Sequence, residues 1–227
     1  TSIRHCFAPD PDGENIFSDI CKKQEKSDTM VEKEGRTQRM EPYLRTWCEV
    51  DLDAIRQNMI NIREKAGDGT KVMAVIKADG YGHGAAAIGQ YIYGEADYFG
   101  VATIEEAVEL RQAGIDKPVL VLGYTSPALY GKNLHYDVEQ TIYTMEAARK
   151  MSEEAVKLGK TARIHIALDT GMTRIGVSPD EKGLAFVEEV RKLPGLTVKG
   201  LFSHLSCADM EDKTYTKEQF KRFDDFV

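Results

Sequence analysis

From about residue 46 onward, short apolar runs alternate with amphipathic stretches, and this rhythm limits the fold more than any other feature of the chain. Runs rich in β-branched residues predict strands at 72–77, 98–102, 118–123, 138–142, 163–168 and 197–203. Helical periodicity predicts helices at 84–93, 104–113, 145–159 and 180–193, another starting near Thr216, and a short helical turn at 128–132. Ahead of these, a strand at 47–52 is expected to lead into a helix capped by Asp53 and ending near Lys65. Alternation of this kind builds a parallel sheet covered by helices. Periodicity leaves open whether the sheet is doubly wound or closed into a barrel. A doubly wound sheet gathers its chemistry at one switch point, whereas a barrel collects residues from many strand ends onto one face. Lys77, Asp169, Arg174 and His204 fall at or just after the ends of strands spread through the unit, which favours the barrel. Six barrel strands can be counted and eight are needed for closure, so an incomplete α/β barrel with two unpaired edges is expected.

Composition excludes several function classes. With 42% hydrophobic residues in 227, the chain can bury a substantial core. Its net charge of −7 argues against a nucleic-acid surface, which is normally basic. No apolar stretch approaches the ~18–20 residues of a membrane span, and residues 1–17 lack the apolar core of a secretory signal. A cytoplasmic protein is expected. Cys6, Cys21, Cys48 and Cys207 show neither a C-x-x-C pair nor zinc-ligand spacing, so free thiols and no metal are expected. Residues 1–44 stand apart, with mixed charge, little periodicity and a turn signal at Asp10-Pro11-Asp12-Gly13. They read as a disordered leader or linker, with a transient helix near 22–34, ahead of a barrel domain at 45–227.

Lys77 follows the apolar run 72–76 and opens Lys77-Ala78-Asp79-Gly80-Tyr81-Gly82-His83-Gly84. A lysine there has its stem held by the sheet and its amine at the rim, while the glycines permit a tight turn and close approach to a ligand. A partly desolvated lysine amine is a nucleophile toward aldehydes, and pyridoxal phosphate is held in this way as a Schiff base. Two competing readings of local motifs are weaker. Gly80-x-Gly82-x-x-Ala85 fits a dinucleotide fingerprint, but no acidic residue ends the second strand to meet a ribose. Asp169-Thr170-Gly171 matches the triplet of aspartic proteases, but that chemistry needs two such carboxylates and only one triplet is present.

The string from Val75 to Gly84 closely resembles the pyridoxal-phosphate attachment signature of alanine racemases. The resemblance resumes at Asp169-Thr170-Gly171-Met172-Thr173-Arg174-Ile175-Gly176 and at Gly200-Leu201-Phe202-Ser203-His204. It is also present in Trp47-Cys48-Glu49-Val50-Asp51-Leu52-Asp53-Ala54-Ile55, and covers roughly residues 46–227. It implies the N-terminal domain of a fold-type III enzyme: a TIM-type (β/α)8 barrel, with the C-terminal β-domain lying outside these residues. By this resemblance Lys77 carries pyridoxal 5'-phosphate and acts as one of two bases. Tyr81 would bond the cofactor phosphate and His204 would stack on the pyridine. Arg174 would bind the substrate carboxylate or support the second base, a tyrosine from the partner subunit of a homodimer. His83 is expected to stabilise the turn rather than to catalyse. The implied activity is interconversion of L- and D-alanine, which supplies D-alanine for peptidoglycan, and the chain by itself is expected to be inactive.

Two positions depart from the pattern. Many alanine racemases carry, two residues before the aspartate, a lysine modified by carbon dioxide that positions the arginine; here that residue is Ala167. Thr173 stands where glycine or histidine is common. Other readings of the same residues are a single-barrel, non-catalytic pyridoxal-phosphate carrier, a decarboxylase on the same barrel, and a serine or alanine racemase of the glycopeptide-resistance type. The Tyr-Gly-His-Gly ending and the Asp-Thr-Gly-Met-x-Arg motif favour the racemase over the first two.

Overall fold

The structure is a computed structural model and describes residues 48–227; the expected leader at 1–44, with Cys6 and Cys21, lies outside the described residues. The order is α1 (Leu52–Ala66), β1 (Met73–Val75), a turn at Lys77–Gly82, α2 (Ala85–Tyr91), β2 (Tyr98–Val101), α3 (Ile104–Gln112) and β3 (Val119–Val121). A 3₁₀ turn (Pro127–Leu129) then leads into α4 (Tyr130–His135), β4 (Glu139–Ile142), α5 (Met145–Lys157), β5 (Ala162–Ala167), α6 (Glu181–Lys192), β6 (Leu196–Phe202) and α7 (Thr214–Phe226). Every strand expected after residue 70 is present, most of them ending a residue or so inside the predicted run.

The six strands are all parallel and lie in sequence order, β1 to β6. A doubly wound sheet would reverse direction at a switch point; this order has none and is that of successive barrel staves. β1 and β6 do not pair with each other, so the staves form an arc. Side chains alternate across it. Phe99, Val101, Val119 and Val121 point outward, into a core with Ile88 of α2, Ile92 just after it, and Ile104 and Leu110 of α3. Ile142, Ile164 and Ile166 do the same against Tyr130, Met151 and Val190 of α4, α5 and α6. Tyr98, Gly100, Leu120, Glu139, Thr141, Arg163, His165 and Ala167, on the alternate positions, face the barrel axis. The ladder between β5 and β6 carries a bulge at Ile164/His165 that brings Gly200 beside the His165 ring.

Most of the long helices start at a side-chain cap. Thr103, Thr144 and Asp180 each accept a backbone N–H from the first turn of α3, α5 and α6. The cap of α1 is Asp51, which accepts the Ala54 N–H at 2.9 Å, and not Asp53 as the sequence suggested. Asp53 sits inside the first turn, where its carboxylate accepts the Tyr91 hydroxyl. The strand expected at 47–52 is reduced, within the described residues, to a single bridge at Glu49. Among the described residues no helix is long and apolar enough to cross a membrane.

Candidate active site

The turn at Lys77–Gly82 is left-handed. Ala78, Asp79, Gly80 and Tyr81 all have φ between 51° and 61° with matching positive ψ. Three of the four carry a Cβ, and each costs about 1–2 kcal/mol in this conformation. The surrounding structure compensates. The Gly80 N–H reaches Ile76 O at 2.9 Å and the Gly84 N–H reaches Asp79 O at 2.9 Å. The Asp79 carboxylate accepts the Ala85 N–H at the start of α2, at 2.8 Å. His83 Nδ1 donates to the carbonyls of Gly80 and Tyr81 at 2.9 and 3.0 Å, which is the turn-stabilising part expected of it. Gly80 has no substitute, because a Cβ there would lie 2.9 Å from Ile88 Cδ1 at positive φ.

Glu106, near the start of α3, completes the support. Thr103-Ile104-Glu105-Glu106 has the spacing of a capping box, in which the glutamate returns to the backbone N–H of the cap residue. Here the carboxylate reaches past it. Oε2 accepts the Ala102 N–H at 2.7 Å and Oε1 accepts the Ala78 N–H, next to Lys77, at 2.9 Å. A helix cap on the second stave thereby holds the lysine turn of the first. The sequence signal was present, but its target lies 28 residues away.

The loop after β5 is folded back on itself. Val177 N–H bonds Ala167 O and Asp169 N–H bonds Val177 O, both at 2.9 Å. Within the loop Asp169 Oδ1 accepts the N–H groups of Gly171 and Thr173 at 3.0 and 2.9 Å. Asp169 therefore shapes the segment that carries Arg174. Thr173 sits at φ 57°, an unfavourable place for a β-branched residue, and its N–H bond to Asp169 holds it there. Gly176 at φ 124° cannot be replaced, since a Cβ would come within 2.6 Å of Asp169 N.

These turns converge. Lys77, Tyr81, Arg174 and His204 line one cavity of about 440 Å³ at the C-terminal ends of β1, β5 and β6. Val75, Leu122, Met172, Ile175 and Phe202 give it apolar walls, and Ala167, Asp169 and Ser203 complete the polar end and floor. The size falls in the ~300–1,000 Å³ range of small-molecule sites. Among the described residues no hydrogen bond or ion pair engages the Lys77 amine, the Arg174 guanidinium or the His204 ring. Tyr81 stands at the mouth, 61% exposed. An amine, a fork-shaped cation, an imidazole and a phenol around apolar walls suit a flat aromatic aldehyde that also carries an anionic group. The small side chain of Ala167 leaves that part of the wall without a charged group.

A family model, "Alanine racemase, N-terminal domain", matches residues 50–227. The chain belongs to the alanine racemase family. It is 47% identical over 178 residues to the alanine racemase of Clostridium tetani, covering 78% of this chain and 46% of that protein. To the enzyme of Clostridium perfringens strain SM101 it is 50% identical over 182 residues, covering 79% and 47%. Among solved structures, alanine racemase from Clostridium difficile 630 superposes with a TM-score of 0.75 at 38% identity, covering 77% of this chain and 46% of that one. The Enterococcus faecalis structure ("E.faecalis") gives 0.70 at 35% identity, covering 78% and 48%. The chain thus spans about half the length of the curated relatives it matches. Alanine racemases are pyridoxal-phosphate enzymes, and the matched N-terminal domain is their cofactor-binding barrel.

One further element of this alanine racemase barrel bears on the site and left no local mark in the sequence. α7 packs Tyr215 and Arg222 against the loop after β5, with the Tyr215 hydroxyl on Gly171 O at 2.7 Å and Arg222 Nη1 on Thr170 O at 2.9 Å. The helix itself was expected; its reach across to β5 was not.

Proposed function

We propose that this chain forms the pyridoxal-phosphate-binding half of the active site of an alanine racemase. The observation that carries the reading is the convergence of Lys77, Tyr81, Arg174 and His204 on one cavity from turns up to 127 residues apart in sequence, 77 to 204. The cofactor, when bound, supplies an electron sink for a substrate that has lost its α-proton. Lys77 Nζ would hold the cofactor and would remove or return a proton on one face of the substrate α-carbon. Its turn is held from both sides, which keeps the amine aimed into the cavity while the side chain remains able to move. The Arg174 guanidinium forks onto the substrate carboxylate and fixes which face Lys77 meets. His204 and Tyr81, which line the same cavity, would help to hold the cofactor, the imidazole through its ring and the phenol at the mouth through its phosphate. A second base for the opposite face is a tyrosine of a partner subunit in a homodimer.

Arg174 also favours an enzyme over a cofactor carrier, because a carrier has no carboxylate to grip. Ala167 removes the carbamylated lysine as a device for orienting this arginine, and the loop bonds of Asp169 take that part.

Reduction with borohydride tests the reading. Full-length protein loaded with pyridoxal phosphate, reduced and digested should yield one labelled peptide, with the label on Lys77. The same preparation should interconvert L- and D-alanine faster than L- and D-serine. A label on any other lysine overturns the assignment.

A further inference from the structure

Gln219 on α7 is fully buried, at 0% exposure, yet it is polar and distant in sequence from every motif of the site. All four of its side-chain hydrogen-bond positions are used. Oε1 accepts the Ser206 N–H at 2.9 Å and the Ser206 hydroxyl at 3.1 Å. Nε2 donates to His204 O at 3.1 Å and to Thr170 Oγ1 at 3.3 Å. Thr170 Oγ1 in turn meets Ser203 Oγ at 2.7 Å. One amide therefore ties the exit of β6, which carries His204, to the exit of β5, which carries Asp169 and the loop of Arg174. A buried amide needs all its partners, so its geometry leaves the two exits little freedom relative to each other. The flanking bonds of Tyr215 and Arg222 hold only the β5 side; Gln219 alone on α7 bonds to both.

We propose that Gln219 is a positioning residue that sets the spacing between His204 and Arg174, and so between the cofactor ring and the group that grips the substrate carboxylate. This rests on the racemase reading above. Gln219 touches neither ligand; it acts through the main chain of His204 and the side chain of Thr170. An apolar residue of the same size would fill the space and release both exits. Glutamate would fill it too, but as a carboxylate it has no donor and would face the oxygens of His204 and Thr170.

The test compares Q219E and T170V with the wild type in the full-length holoenzyme. T170V removes the two bonds of the Thr170 hydroxyl, to Gln219 and to Ser203, and no bulk, so it carries the test if Q219E fails to fold. Three quantities are read: KM and kcat for L-alanine, the dissociation constant of pyridoxal phosphate for the apoprotein by absorbance titration, and the melting temperature. Misplaced exits should raise KM about tenfold in Q219E and several-fold in T170V, with kcat less affected, and should weaken cofactor binding in the same order. In Q219E the defect should shrink as pH falls, because a neutral carboxyl regains one O–H donor. S152A provides the comparison for a purely structural loss. Ser152 is buried and donates to Pro194 O at 2.6 Å, away from the cavity; its loss should lower the melting temperature and leave KM unchanged. If Q219E or T170V lowers the melting temperature while KM and cofactor affinity stay within twofold of wild type, the proposal is overturned. Borohydride labelling of the wild type at Lys77 separates that outcome from a failure of the racemase reading itself.

Discussion

The two ends of the barrel treat charge in opposite ways. At the N-terminal ends of the strands, charged groups are paired. Arg111 donates to four carbonyls, those of Ile115, Lys117, Tyr136 and Asp137, at 2.7 to 3.0 Å. Burial pulls its guanidinium below the usual value. Lys117 caps the carbonyls of Tyr93 and Ala96 and lies over the Tyr93 ring. Glu139, buried on β4 and facing the axis, meets Arg163 at 3.1 Å and His165 at 2.7 Å, and Arg163 also meets Asp137 at 2.7 Å. At the C-terminal ends, Lys77, Arg174 and the His204 ring line a cavity without a partner among the described residues. Charge satisfied inside the protein contributes to stability; charge left for a ligand costs stability and provides binding. In a barrel the first pattern belongs to the bottom face and the second to the catalytic face. Substitutions at the two ends should therefore separate stability from activity.

The largest effect is expected at Lys77. On the proposed reading, in which Lys77 is both tether and base, Lys77→Ala in the full-length protein should lower racemisation by at least about a thousandfold. The melting temperature of the apoprotein should barely move, because the amine supports nothing in the fold. A large loss of apoprotein stability would break the comparison by showing that the lysine holds the turn. Arg174→Lys comes next. A point charge cannot fork onto a carboxylate, and kcat/KM should fall about a hundredfold, or ~2.7 kcal/mol, mostly through KM. Near-normal kinetics would show that the substrate carboxylate sits elsewhere.

At the other end the signs reverse. Glu139→Gln should cost about 2 kcal/mol of stability, because a nearly buried carboxylate is removed from a cation that keeps only Asp137. Racemisation should be unchanged at a temperature where both proteins are folded. Burial opposes the charge on Glu139, but His165 and Arg163 outweigh it and hold the carboxyl below the usual value. A folded-state value below the unfolded one stabilises above the unfolded pKa, ~4.3, and that stability is lost as pH falls through the folded value. The gap in melting temperature between wild type and Glu139→Gln should therefore be full near neutrality and close below about pH 4. A gap that persists into acid would mean that the carboxyl is held by shape rather than by charge.

What the sequence revealed, and what it concealed, follows the range of the interactions. Strands and helices were legible because alternation and periodicity are local, and the cavity residues were legible because they lie in short contiguous motifs such as Lys77 to Gly84. The cap of α1 was misread by two residues because Asp51 and Asp53 are both good caps, and only the Ala54 N–H bond tells them apart. The paired network at the other end was hidden altogether. Glu139 and His165 stand 26 residues apart, and their pairing depends on the register of β4 with β5. Gln219 gave no signal because a glutamine on an amphipathic helix looks like solvent-facing filler until the loops it binds are in place.

Glu106 sharpens the comparison, since like Asp79 and Asp169 it is a carboxylate near the cavity end that is engaged by the fold. Its two carboxylate oxygens hold Ala102 N–H and Ala78 N–H. Glu106→Gln keeps one acceptor and turns an amide N–H₂ toward the other backbone N–H, so one charge-assisted bond is lost for about 1 kcal/mol. Among the principal effects of the four substitutions, this one is the smallest in free energy. The local effect should be concentrated, because the left-handed residues 78–81 depend on such bonds to offset their conformational cost. Hydrogen exchange of the full-length protein should show faster exchange at residues 77–82 in Glu106→Gln, with the β2–β5 amides unchanged. Cofactor retention on dilution should fall with it, since Lys77 opens that turn. Exchange in 77–82 equal to wild type would mean that the turn is held by its own hydrogen bonds and by Asp79, and that Glu106 belongs with the stabilising charges of the opposite end.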